Sequence, residues 1–391
     1  MTKVVRVAQV VGRMVGGGVE ATVMNYYRCL DHSRVQFDFI IQNDSTVVPR
    51  DEIRSLGGHI YEVPSYKNPI AYVHACESVF RDIRPDIVHS NMNAVSVLTL
   101  LAAKRAGVKV RIAHSHSTSN PQEYTKTLVK NVLRPLSQIY STHLAACSKH
   151  AARWLFGNQA VIDERVRIIH NAIDLRRFSF DVEARRILRR QLGIGESTLL
   201  IGQVGRLCFQ KNQQHTLEVF SFLHSYHPDS ELVFIGEGED LWKLQAKADN
   251  LGISRSVKFL GVQNNVASWY SAFDVLAFPS TYEGLGMVCI EAQAGGLPTV
   301  ASKEIPAETV IVPELVNRLA LSDSIDTWAK RIITMANSHL SHTRTSETRR
   351  LAQNGYDIKQ SANELVEWYE QLVSTSLGGT FSEDYGIAGA L

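Results

Sequence analysis

The chain has 391 residues, 45% of them hydrophobic and 20% charged, with 41 Lys+Arg against 39 Asp+Glu. That balance excludes a disordered or fibrous chain and suits two α/β cores rather than one. No apolar run approaches the roughly 20 residues that cross a bilayer, and a net charge of +2 gives no reason to expect a nucleic-acid partner.

The charge is uneven along the chain. Residues 1–178 carry 23 basic and 14 acidic side chains, a net +9, and the remainder carries 18 and 25, a net −7. A basic first half suits an anionic partner such as a phosphorylated lipid or a membrane surface; attraction between two oppositely charged halves is the plainer account. Cys29, Cys76, Cys147, Cys208 and Cys289 are scattered and odd in number, which points to reduced thiols rather than disulfides or a zinc site. The first residues, Met-Thr-Lys-Val-Val-Arg-Val, run straight into strand-like sequence without a signal-peptide pattern. A cytoplasmic protein is expected.

In chain order, short β-branched runs predict strands at Val4–Val11, Phe37–Gln42, Asp86–Ser90, Val110–His114, Leu144–Cys147 and Arg167–Ala172. The pattern pauses over Asp174–Gly195, where a charged helix (Asp181–Gln191) ends at Leu-Gly-Ile-Gly. It resumes with strands at Leu199–Gly205, Leu232–Gly236, Val257–Leu260, Val275–Phe278 and Pro298–Ala301. Near-continuous apolar runs alternating with amphipathic stretches read as buried parallel strands in repeated βα units. The fold class is therefore α/β, two Rossmann-like domains, 1–178 and 179–375, followed by a loose tail at 376–391. Sheets of this kind place ligands at the carboxyl ends of their strands, which sets the expected site between the domains. The segment 124–136 is basic and amphipathic, with Lys130 and Arg134 on one face. It fits either a membrane surface or a helix packed on the core.

The strongest chemical signal is Glu283-Gly-Leu-Gly-Met-Val-Cys-Ile-Glu291, which follows a strand and opens a helix. Two carboxylates flanking a helix N-terminus suit a nucleotide sugar, with hydroxyls at both ends and a diphosphate between them. The plain alternative is an acidic residue near a helix start and a solvated helix residue. Arg206 and Lys211 leave the first strand of the second half, where an anion would sit, and can hold a diphosphate without metal. Phe234-Ile-Gly236-Glu237-Gly238 ends the next strand, and its glycines permit close approach of a base or ribose.

Taken together, Gly-Arg-Leu…Gln-Lys-Asn, Gly-Glu-Gly, Phe-Leu-Gly and Glu-x(7)-Glu followed by Ala-Gly-Gly-Leu-Pro-Thr-Val-Ala-Ser resemble the retaining glycosyltransferases of family 4, with the GT-B fold. The resemblance runs to about residue 370. It is nearest to bacterial capsular and exopolysaccharide transferases, through Ser302-Lys-Glu-Ile-Pro-Ala-Glu-Thr and Ile168-Ile-His-Asn-Ala-Ile-Asp174. It implies that Arg206 and Lys211 hold the donor diphosphate and that Glu291 takes the nucleotide ribose. Glu283 and the backbone of Gly284, Leu285, Gly286 and Met287 then orient the transferred sugar, and main-chain groups near Val262 face the base. Gly17 and Gly18 belong to the family's glycine-rich loop, near the diphosphate or acceptor, and Gly236 to the donor side. His116 matches the active-site histidine beside the sugar; His114, two residues earlier on a strand, shares its face.

The implied reaction is metal-independent, cofactor-free transfer from a nucleotide diphosphate sugar, with uridine as the family-level base. The acceptor is a glycan or lipid-linked oligosaccharide. Attack comes from the front face, and the departing phosphate takes the acceptor's proton. Ala172 after Asn171, Gly286 beside the sugar and Gln263-Asn264-Asn265 near the base depart from the usual pattern. Three other readings compete, one of them a GT-B epimerase acting on the donor alone or a phosphorylase needing inorganic phosphate and a glucan. A dinucleotide-dependent oxidoreductase or epimerase fits Gly16-x-Gly18-x-x-Ala21 after a strand, but leaves Arg206, Lys211 and the two glutamates unexplained. A non-catalytic nucleotide-binding subunit would lack Glu283, Arg206 or Lys211, and all are present.

Overall fold

The structure is a computed structural model that describes residues 3–116, 133–338 and 344–378. It contains two compact units. The first takes β1 (Val5–Gly12), β2 (Val35–Gln42), β3 (His59–Val63), β4 (Ile87–Ser90), β5 (Val110–Ser115), β6 (His143–Ala146) and β7 (Val166–Ile168). They form one sheet in the order β3-β2-β1-β4-β5-β6-β7, parallel throughout. The second unit takes β8 (Leu199–Val204), β9 (Ser230–Ile235), β10 (Val257–Phe259), β11 (Val275–Phe278), β12 (Thr299–Ser302) and β13 (Val316–Leu319). Their order is β10-β9-β8-β11-β12-β13, again all parallel. Both are doubly wound sheets of the Rossmann type.

The central strands are buried residue after residue. All six residues of β8 and all four of β4, β11 and β12 are buried, which explains why they read as continuous apolar runs. The two strands absent from the sequence reading, β3 and β13, are edge strands in which four of five and three of four residues keep some exposure. The sixth predicted strand, Arg167–Ala172, ends at Ile168.

The boundaries of the units differ from a single cut at 178/179. Unit one ends at Ile169, and the chain returns to it from Lys359 onward. The return has a physical cause in the helix Ile358–Gly378. Ala362, Leu365, Val366, Tyr369 and Leu372 form a buried stripe at helical spacing. Tyr369 meets the rings of Phe37 and His89, and Glu370 receives two hydrogen bonds from Arg34, at 3.0 and 2.5 Å. The tail expected from residue 376 is helical to Gly378; the rest of it lies outside the described residues.

The linker helix Val182–Leu192 belongs to unit two. The Asp181 side chain caps it by accepting from the amides of Glu183 and Ala184, and Gly193 ends it at φ 71°. Its charged sequence conceals two buried arginines. Arg185 and Arg189 reach Asp274 at 2.7 and 3.1 Å and the carbonyl of Ala272, so this face is core rather than solvated. Most of the basic segment 124–136 falls outside the described residues; of its last part, Leu136 is exposed. Among the described residues, no helix is long and apolar enough to cross a membrane.

Candidate functional site

In unit two, the predicted donor residues follow the carboxyl ends of neighbouring strands. Arg206 and Lys211 follow β8, Gly236 follows β9, Val262 follows β10, and Glu283 follows β11. Strand order reverses between β8 and β11, the position at which such sheets open a crevice.

The loops after β8 and β11 are joined by side-chain and backbone bonds. Lys211 Nζ lies 2.5 Å from Glu283 Oε1, with only 16% and 9% of the two side chains exposed. The ammonium also sits 5.3 Å from the centroid of the Phe278 ring. Gln210 Nε2 donates to the Tyr282 carbonyl at 3.0 Å and reaches Glu283 Oε2 at 3.4 Å. Thr281 N donates to the Gln210 carbonyl at 2.8 Å, and Gln203 Nε2 holds the Lys211 carbonyl at 2.7 Å. Glu283 is thus a positioned acceptor rather than a mobile surface acid, and Gln210 is a site residue that the sequence reading missed.

Four residues beyond Glu283 the helix Met287–Ala294 begins, with Gly286 as its N-cap at φ 92°. A Cβ there would stand 3.2 Å from Phe278 Cε1 in a left-handed backbone, so glycine is required. The first amides of this helix have no partner within it. Gln293 anchors the helix, donating to the carbonyls of Cys289 and Thr309 and accepting from the amides of Ile311 and Val312. The Thr309 hydroxyl donates to the Leu285 carbonyl.

Glu291 lies about one turn into this helix. Its Oε2 accepts from Tyr270 Oη at 2.5 Å. Burial pushes its carboxyl up, while the Tyr270 hydrogen bond and the charges of Lys211 and Arg177 pull it back. Lys211 therefore acts on both glutamates. Tyr270 had no sequence signal, because it sits twenty-one positions away on a different helix.

Arg206 differs from Lys211. Its side chain is 68% exposed and its guanidinium pairs with Glu239, at 3.0 and 3.1 Å. The two expected diphosphate cations leave one loop toward separate acidic partners. Val262 is 68% exposed. Gly236 meets a need internal to the fold: at φ 128°, a Cβ would fall 2.2 Å from the Gly205 carbonyl oxygen. Gly236→Ala should therefore destabilise unit two by about 3 kcal/mol or more. That corresponds to roughly 6–12 °C in its unfolding midpoint; a calorimetric midpoint equal to the wild type's would refute the packing account.

In unit one, Gly17 caps the helix Gly18–Cys29 after β1. Glu20 accepts from the amides of Gly17 at 2.5 Å and Val15 at 3.1 Å. A buried carboxylate already occupies the anion position of the loose dinucleotide fingerprint, which argues against a cofactor pyrophosphate there. His116 follows β5 and is buried; its amide donates to Asn93 Oδ1 at 2.7 Å and its Nε2 lies 2.9 Å from Asn91 Oδ1. The rings of His114 and His116 stack with centroids 3.8 Å apart, on one face as their spacing implied. Among the described residues, no group of three or more His, Cys, Asp or Glu is arranged to hold a metal ion.

A family model described as "Glycosyl transferases group 1" matches residues 184–357, and one described as "Glycosyltransferase Family 4" matches residues 16–177. The chain is 35% identical over 370 residues to the putative glycosyltransferase EpsF of Bacillus subtilis, covering 93% of this chain and 96% of that one. It is 23% identical over 375 residues to the capsular polysaccharide biosynthesis glycosyltransferase CapH of Staphylococcus aureus, covering 93% and 98%. Among solved structures, Anabaena HepE in complex with UDP superposes with a TM-score of 0.75 at 18% identity, covering 94% of this chain and 100% of HepE. WaaG, a glycosyltransferase involved in lipopolysaccharide biosynthesis, gives 0.69 at 19%, covering 96% and 100%.

Proposed function

This chain belongs to the GT-B glycosyltransferases related to bacterial capsular and exopolysaccharide enzymes, and from that premise we propose that it is a retaining, family-4 enzyme moving a sugar from a uridine diphosphate donor to a glycan or lipid-linked acceptor. The observation that carries this reading is the Lys211–Glu283 pair clasped by Gln210, with Glu291 about one turn into the helix that begins beyond it. The uridine donor is supported by HepE, which was solved with UDP. Surface-polysaccharide synthesis is supported by CapH. None of the five cysteines forms a disulfide, which supports a cytoplasmic setting; the inner face of the membrane is where a lipid-linked acceptor would be met.

Each group has a role in this reading. Glu291 accepts from the ribose hydroxyls and Glu283 from the sugar. The first amides of the helix Met287–Ala294 and the Lys211 ammonium face the diphosphate and stabilise charge as it leaves. Arg206 joins them by leaving Glu239, an exposed pair held by little energy. In this reading His116, Gly17 and Gly18 of unit one serve the transferred sugar and acceptor, and Val262 and Gly236 of unit two serve the base. Positive charge comes from side chains and a helix terminus, so no metal is required.

The test is a panel of nucleotide sugars offered to the purified protein with a chelator present, read as nucleotide release and as a rise in unfolding temperature. UDP-sugars should protect at millimolar concentration or below, equally with and without chelator. Protection that needs a divalent metal, or that comes only from nicotinamide dinucleotides, overturns the assignment.

A further inference from the structure

His116 is the end of a hydrogen-bond chain that runs through unit one to the helix Ile358–Gly378. Asn91 Nδ2 donates to Gln9 Oε1 at 2.9 Å and reaches the His89 carbonyl at 3.5 Å, which sets the orientation of the amide. Its Oδ1 therefore faces His116 Nε2, 2.9 Å away, and that nitrogen must carry the proton. Gln9, accepting on its oxygen, donates through Nε2 to Tyr369 Oη at 3.0 Å. The phenol's own hydrogen is then directed to His89 Nδ1, at 2.6 Å. His89 donates from Nε2 to His114 Nδ1 at 2.8 Å. The chain ends at His114 Nε2, which is buried, has no hydrogen-bond partner among the described residues, and belongs to a residue lining a cavity of ≈ 20 Å³, room for about one water.

We propose that Asn91, Gln9, Tyr369 and His89 form a one-way relay that fixes which ring nitrogen of His116 carries its proton, and that Tyr369 is a positioning residue for the transfer reaction. The proposal rests on the reading of His116 as a residue beside the transferred sugar. A neutral His116 held as the Nε2–H tautomer presents a lone pair at Nδ1, so toward a sugar hydroxyl that nitrogen is an acceptor. The relay works because its inner members stay uncharged. Burial, with His116 nearby, pushes His89 down to about 3, and burial with both neighbouring rings pushes His114 well below its ordinary value. A charge on either ring would require both nitrogens to donate and would reverse a link. Every link of the relay then runs in one direction, from His116 Nε2 to His114 Nδ1.

The experiment uses the full chain with 15N-labelled histidine, its His116 resonances assigned by comparison with His116→Gln. Two-bond 1H–15N spectra report the tautomer directly. The wild type should show His116 as Nε2–H. Tyr369→Phe keeps the ring and removes the hydroxyl, and Gln9→Met removes the amide at similar volume. Both should convert His116 to a tautomer mixture and lower kcat about 10-fold with the donor KM unchanged. Tyr369→Phe added to His116→Gln should cost nothing further. An unaltered His116 tautomer in both variants overturns the relay, as does a rate loss that adds in full to that of His116→Gln. Full transfer by His116→Gln itself would instead remove His116 from the reaction, while the spectra would still decide whether the relay sets its proton.

Discussion

Lys211→Met should lower both the stability of unit two and the rate of sugar transfer, and adding Glu283→Gln should restore only the stability. The pair is 2.5 Å apart with little exposure. Removing the ammonium leaves a nearly buried carboxylate beside Gln210 without the Lys211 countercharge, which costs about 3 kcal/mol, the lower end for broken buried pairs. A neutral amide at position 283 removes that penalty, and Gln210 Nε2 can still donate to its oxygen. The rate is another matter. If Lys211 stabilises the departing diphosphate, its loss costs about 10²–10³ in kcat, and no change at position 283 replaces a positive charge. Calorimetry and nucleotide release on three variants, the two singles and the double, check both halves. A Lys211→Met enzyme with wild-type kcat/KM would leave the pair as a structural clasp and nothing more.

Glu291→Gln should produce a protein that is more stable at neutral pH and a poorer binder of its donor. Burial raises this carboxyl above its ordinary value of 4.5. A group raised in the folded state favours folding while protonated; that contribution is fully present below the ordinary value and is lost as pH climbs through the raised one. Above that window the charged form opposes folding, so the glutamine variant should unfold at a higher temperature than the wild type at about pH 7–8. The gap should close as pH falls toward 4.5. Tyr270 can donate to the glutamine oxygen as it does to Oε2. Donor binding should weaken because hydrogen bonds from ribose hydroxyls to a charged acceptor contribute about 1.5–3 kcal/mol, roughly 10–150-fold in Kd. A gap that does not vary with pH would contradict the burial account; unchanged affinity for UDP-sugar would take Glu291 out of the donor site.

The strands that were legible in the sequence are those buried on both faces, where sandwiching between helices leaves runs such as Leu199–Val204 no polar position at which to break. His59–Val63 and Val316–Leu319 escaped because an edge strand faces water along part of its length, and residues such as Glu62, Asn317 and Arg318 interrupt the pattern. At the candidate site, residue types and order singled out Lys211, Glu283 and Glu291. They did not disclose that Lys211 binds Glu283 directly, that Tyr270 holds Glu291, or that Arg206 pairs with Glu239. Those partners are distant in sequence and are chosen by packing, which leaves no local period to read. The helix Ile358–Gly378 shows the same limit from the other side: its apolar stripe announces an amphipathic helix, but the stripe cannot say which sheet it will cover.

That helix has a consequence for how the chain is made. The first 169 residues leave the ribosome before the segment that covers Phe37 and seats Tyr369 against His89 has been synthesised. The earlier-born unit must therefore wait, its sheet partly uncovered, through the translation of nearly two hundred further residues. Unit two, drawn from the stretch His170–Ile358, has what it needs as it emerges. Order of synthesis and order of completion are inverted, and a premature stop near residue 357 would leave the older half permanently unfinished.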